Sequence, residues 1–172
     1  MNPPTIKLMV YRKDFGFTMI ELMVTMIVLG VLAAIALPSF STMMAGQRIK
    51  SASFDLIAAL TMARSEAIKR NVNVNLTPNG GSWLNGWTVS DGTTTFNQQS
   101  ALSNTLLVSC FAGGGAAAPC PTITYNNNGR LTNAVGGAPA IQIGSANTTG
   151  VATRCISIDL SGRPASKKAT CP

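Results

Sequence analysis

Histidine is absent from this chain, and acidic residues are scarce: six Asp and Glu stand against thirteen Lys and Arg, for a net charge of +7. Without an imidazole there is no general base of the commonest kind and no histidine-containing zinc site. The acids beyond the first apolar stretch, Asp55, Glu66, Asp91 and Asp159, are scattered, so no paired-carboxylate arrangement can be drawn. The four cysteines, Cys110, Cys120, Cys155 and Cys171, lack the spacing of paired metal ligands. No internal repeat is visible. Together these absences argue against an enzyme, and no metal or cofactor is expected.

What is present is a long apolar run from Gly16 to Pro38 with one charge, Glu21, near its start. As a helix rising about 1.5 Å per residue, Phe17 to Leu37 covers the ~30 Å of a bilayer core. The preceding residues 1–16 are short and basic, with Lys7, Arg12 and Lys13 against Asp14, and read as a leader. Basic flanks stay cytoplasmic, which places the long C-terminal part in the periplasm or beyond. A secretory signal cut after Ala34-Ile35-Ala36 is the competing reading. Against it stand the length of the run, its carboxylate and the helix-forming sequence that continues past the cut.

Gly16-Phe17-Thr18-Met19-Ile20-Glu21-Leu22 resembles the type III signal of type IV pilins and type II secretion pseudopilins. The resemblance implies that prepilin peptidase cuts between Gly16 and Phe17 and methylates the new amino group of Phe17. Glu21 has two readings. A carboxylate near the end of a span can be a tolerated interfacial group that reaches water. By the resemblance, it instead pairs with the Phe17 ammonium of a neighbouring subunit during assembly. Pro38 lacks a backbone N–H and its ring clashes one turn back, so a helix kink is expected there.

From Ser39 to Asn71 the chain is amphipathic, with Ile49, Ala52, Leu56, Ala59, Ala63 and Ala67 recurring at spacings of three or four. Asn71 is the expected stop, and Glu66 and Arg70 form a favourable i,i+4 pair. The rest reads as β. Val72, Val74 and Leu76 alternate with asparagines, and Ile156, Ile158 and Leu160 alternate with Ser157 and Asp159. Short apolar runs at 87–89, 106–108, 123–125 and 141–143 suit further strands, linked by Asn- and Gly-rich turns. Trp83 and Trp87 are read as core residues. Residues 63–71, with Val72–Leu76 and Gly86–Val89, resemble the GspH/FimT family of minor pilins and pseudopilins.

Four cysteines outside the cytoplasm suggest disulfides. The sequence permits three pairings, and proximity favours Cys110–Cys120 and Cys155–Cys171. A C-terminal disulfide loop is also implied by the resemblance to pilins. From Gly129 onward, Arg130, Arg154, Arg163, Lys167 and Lys168 face only Asp159. Such a basic loop can meet a phosphate backbone or be an ordinary solvated surface. Some FimT-type proteins bind DNA through a Gly-Arg-x-Arg motif. Gly162-Arg163 matches its first half, Ala165 replaces the second arginine, and Lys167 and Lys168 follow, so these cations are the candidate DNA-binding residues.

The expected fold is α+β and pilin-like: a long N-terminal helix packed on an antiparallel β-sheet or β-sandwich head. The expected segments are leader 1–16, membrane or filament-core helix 17–38, amphipathic helix 39–71 and one β-rich head 72–172. The expected function is a structural minor pilin of a type IV pilus, the alternative a minor pseudopilin of type II secretion. Expected partners are prepilin peptidase, other minor and major pilins or pseudopilins, the inner membrane and, through the basic loop, DNA.

Overall fold

The computed structural model describes residues 16–111, 117–132 and 139–171. The leader before Gly16, the pair Gly136-Gly137 and residues 113–116 of Gly113–Ala118, a low-complexity stretch expected to be a loop, lie outside the described residues, whereas Ala117 and Ala118 of that stretch form a short strand against Cys110 and Phe111. The chain divides into two units, one ending at Pro38 and one beginning at Ser39.

One helix, α1, spans Met19–Arg70. It starts in a capping box: Thr18 Oγ1 accepts from the Glu21 N–H at 3.2 Å, and Glu21 Oε2 accepts from the Thr18 N–H at 3.5 Å. Helical backbone continues through Pro38 although that residue brings no donor. The helix stops where Asn71 takes a left-handed φ of 57°, and the Val72 N–H returns to the Ala67 carbonyl at 3.3 Å. This C-terminal closure satisfies a carbonyl the helix would otherwise leave open. It also delays the first strand, which begins at Val74 rather than Val72, and Val72 is exposed.

Among the described residues nine strands follow: β1 Val74–Pro78, β2 Trp87–Ser90, β3 Thr95–Gln99, β4 Leu106–Phe111, β5 Ala117–Ala118, β6 Ile123–Tyr125, β7 Ala140–Ser145, β8 Arg154–Ile158 and β9 Pro164–Lys167. They form two antiparallel sheets, ordered β3-β2-β1-β6 and β5-β4-β7-β8-β9. The helix stripe Ile49, Ala52, Leu56, Ala59, Ala63 and Ala67 is buried in one cluster with inward residues of both sheets, among them Leu76, Val89, Ile143 and Ile156. Small residues on that stripe let the helix backbone approach the sheets closely, and Leu60 fills the space beside them. Ser53, also buried, satisfies its hydroxyl on the Ile49 carbonyl at 2.7 Å. Trp83 and Trp87 lie in the same core with ring centroids 6.1 Å apart.

Two strands carry little of the signal that sequence patterning looks for. β3 is a mostly exposed edge strand, and its residues therefore show no apolar alternation. β9 runs through the stretch expected to be a basic loop, which corrects that expectation. Pro164 opens the strand, where a missing N–H is tolerated, and β8 pairs the segment from Ile158↔Pro164 to Cys155↔Lys167. Leu160, expected to continue β8, sits in the intervening turn and is exposed.

Candidate functional site

At the start of the chain's described part, apolar side chains from Met19 to Leu37 are exposed on every side of α1, and none of its most apolar window is buried. Phe17 precedes the helix and is 82% exposed. A helix that is apolar all round needs lipid or other helices around it. Glu21 is the one charge on this surface, and its carboxylate turns back on the Thr18 N–H at the helix start, where the macrodipole favours an anion.

The other candidate region is the cationic C-terminal segment. Asp159 organises its turn: the Ser161 hydroxyl donates to Asp159 Oδ1 at 2.6 Å and the Arg163 N–H donates to the same oxygen at 2.9 Å. The Ser161 hydroxyl and then the Arg163 amide hold this carboxyl below the usual Asp range. Gly162 has φ +83°, and a Cβ there would stand 2.1 Å from the Gly129 carbonyl oxygen. Its glycine is therefore required by packing between two turns, whatever Arg163 does. Arg64 of α1 bridges the same turns, donating from Nε to the Gly129 carbonyl at 3.0 Å and from Nη2 to the Ser161 carbonyl at 3.2 Å. Tyr125 packs against Gly162, and burial pushes its hydroxyl well above the usual tyrosine range.

The strand register separates the three cations singled out from the sequence. Arg163, Ala165 and Lys167 alternate with half-buried Pro164 and Ser166, so Arg163 and Lys167 share the exposed face of β9 with an alanine between them. Lys168 belongs elsewhere. With Lys50 and Arg154 it lines a cleft of about 480 Å³ whose other walls include Ser39, Thr42 and Gln47. Arg154 reaches Ser166 Oγ at 3.4 Å, and both Lys50 and Arg154 lie over the exposed Phe54 ring, 5.9 and 5.8 Å from its centroid. Lys50 and Phe54 had a visible signal, being one turn apart on α1, but Arg154 joins them only through the pairing of β7, β8 and β9.

The structure joins Cys110 to Cys120 across β4 and the segment after β5, and Cys155 to Cys171, tying the end of the chain to β8. The Cys171 N–H also donates to Gln142 Oε1 at 2.9 Å. Among the described residues no group of three or more Cys, Asp or Glu is placed to hold a metal ion.

The model of the family described as type II transport protein GspH matches residues 52–162, and that of the prokaryotic N-terminal methylation motif matches residues 11–37. No curated protein matches the chain. Among solved structures, the type IV minor pilin FimU of Pseudomonas aeruginosa is similar with a TM-score of 0.56 at 20% identity, over 70% of this chain and 89% of that one. The minor pseudopilin EpsH from the type II secretion system of Vibrio cholerae is similar with a TM-score of 0.55 at 13% identity, over 73% of this chain and 97% of that one. At these identities the likeness is one of fold: a long N-terminal helix packed on antiparallel sheets.

Proposed function

The chain belongs to the GspH family of type II transport proteins, and we propose that it works as a minor pilin of a type IV pilus, a structural subunit of the assembly or tip complex. The observation that carries this reading is the change of character along α1. Up to Leu37 its apolar side chains face outward on all sides, whereas from Ile49 onward one stripe is buried in the head. The first part suits lipid before assembly and sister helices afterward, because both surroundings accept an apolar surface without a polar face.

In this reading prepilin peptidase cuts after Gly16, Phe17 receives the methyl group, and the protein sits in the inner membrane by one span with its head in the periplasm. Phe17 then carries a terminal ammonium, and Glu21 of a neighbouring subunit is its partner in the filament. Pro38 supplies a kink between the filament-core part and residues 39–71. The protein has no catalytic role of its own and meets enzymology as the peptidase's substrate. Terminal sequencing of the mature protein tests the core of this proposal: methylated Phe17 supports it, and Leu37 at the terminus removes it.

The second reading is a minor pseudopilin of type II secretion, favoured by the family's description and by the equal fold likeness to EpsH. A deletion strain separates the two, since loss of twitching with normal secretion supports the pilus and the reverse supports secretion. DNA uptake is an additional role for the pilus reading, resting on the exposed cations Arg163, just before β9, and Lys167, at its end.

A further inference from the structure

The cleft between the start of the amphipathic helix and the strand β8 holds three cations and no acid. Lys50, Arg154 and Lys168 line it, and among the described residues none of them forms an ion pair; the two ion pairs found, at Glu66, lie elsewhere. Convergent unpaired cations are costly to hold together unless an anion relieves their repulsion. The volume, about 480 Å³, is in the range of small-ligand sites, and hydroxyl and amide groups of Ser39, Thr42 and Gln47 complete the polar wall. Phe54 anchors two of the cations on its ring face, which keeps Lys50 and Arg154 together rather than spread into solvent.

We propose that this cleft binds the phosphate headgroup of an anionic phospholipid, with Lys50, Arg154 and Lys168 on the phosphate and Ser39, Thr42 and Gln47 on the headgroup hydroxyls. A lipid is favoured over a free anion by the origin of the wall. Its first lining residue, Ser39, directly follows the apolar run in the same helix, and Met43, a further lining residue, is exposed beside Phe40 and Met44. A phosphate next to apolar surface is the chemistry of a lipid at the edge of a bilayer. The inference rests on the membrane-held stage proposed above. Its consequence is a subunit that keeps a lipid contact on its head and releases it on entering the filament.

The test uses the full chain in neutral detergent, with native mass spectrometry reading bound phosphatidylglycerol against phosphatidylcholine. The expected result is selective retention of phosphatidylglycerol. A Lys50→Ser, Lys168→Ser double variant should bind it about tenfold more weakly, while Lys69→Ser, outside the cleft, binds as the parent does. Circular dichroism shows that the variants are folded, which exposed unpaired lysines should permit. Equal retention of both lipids, or unchanged binding in the double variant, overturns the proposal. So does displacement of the lipid by an equal concentration of inorganic phosphate, which makes the ligand a free anion, or by a short DNA oligonucleotide, which makes the cleft a nucleic-acid site. Failure of the membrane-held stage itself is read separately, as full chain recovered in the soluble fraction of cells.

Discussion

Arg64 and Gly129 are joined by a hydrogen bond from Nε to the carbonyl oxygen at 3.0 Å, and with the second arm of Arg64 on Ser161 this contact ties α1 to two turns of the head. Replacing Arg64 by alanine leaves the buried Gly129 carbonyl without its charged donor, and the exposed Ser161 carbonyl to water, and should cost about 1–3 kcal/mol. Lysine should recover little, because it lacks the planar fork. Gly162→Ala should be at least as severe, since it meets both the left-handed φ and the Gly129 oxygen. Thermal unfolding of the head measures all three.

Removing the Cys155–Cys171 bridge by double serine substitution opens a loop with a sequence separation of 16 and should cost about 3 kcal/mol. Because β9 lies inside that loop at a sheet edge, its amides should exchange with solvent faster than those of β7 in the same sheet. Amide exchange resolved by strand reads this.

Asp159 should make its turn acid-sensitive. Its carboxyl pKa is lowered below the ordinary 3.8, so the contribution is fully present above that value and disappears as pH falls through the lower, folded value. Amide chemical shifts of Ser161 and Arg163 should therefore move below about pH 3.8 and stay flat in Asp159→Asn.

Glu21→Ala loses half of the capping box and, in the pilus reading, the partner of the neighbouring ammonium. The loss of the cap should weaken the helix start by about 1 kcal/mol or less, too little to prevent insertion. The variant should reach the membrane fraction in normal amount and be missing from sheared pili. Normal incorporation would remove the assembly role of Glu21.

DNA affinity on the exposed face of β9 should be weak and almost blind to sequence. Arg163 and Lys167 neutralise two phosphates, so log K against log salt should have a slope near −1.8 on duplex DNA. Filter retention of the purified protein across a salt series gives the slope, and an Arg163→Ala, Lys167→Ala variant should flatten it.

The helix and its buried stripe were legible because a period of three to four residues is a local property, and Ile49, Leu56 and Ala63 declare it without reference to the rest of the chain. The strands around Leu76, Ile123, Ile143 and Ile156 were legible for the same reason, their apolar residues facing one core. β3 and β9 were not. A polar edge strand is held by the hydrogen bonds of its neighbour, and nothing in Thr95–Gln99 or Pro164–Lys167 taken alone says that such a neighbour exists. The double role of Gly162 and the bridge from Arg64 were hidden in the same way, as contacts between segments more than thirty residues apart.

By itself, then, the amino-acid order determined the apolar first part of the helix, the Gly16–Phe17 junction, the single carboxylate near its start and the existence of a β-rich head, all of which follow from composition and short-range spacing. Only the tertiary structure decided which cations act together. The pairing of β8 with β9 sends Lys167 outward with Arg163, whereas its neighbour Lys168 lines the cleft with Lys50 and Arg154. That division is one of register, and a slip of a single residue between paired strands would exchange the two faces.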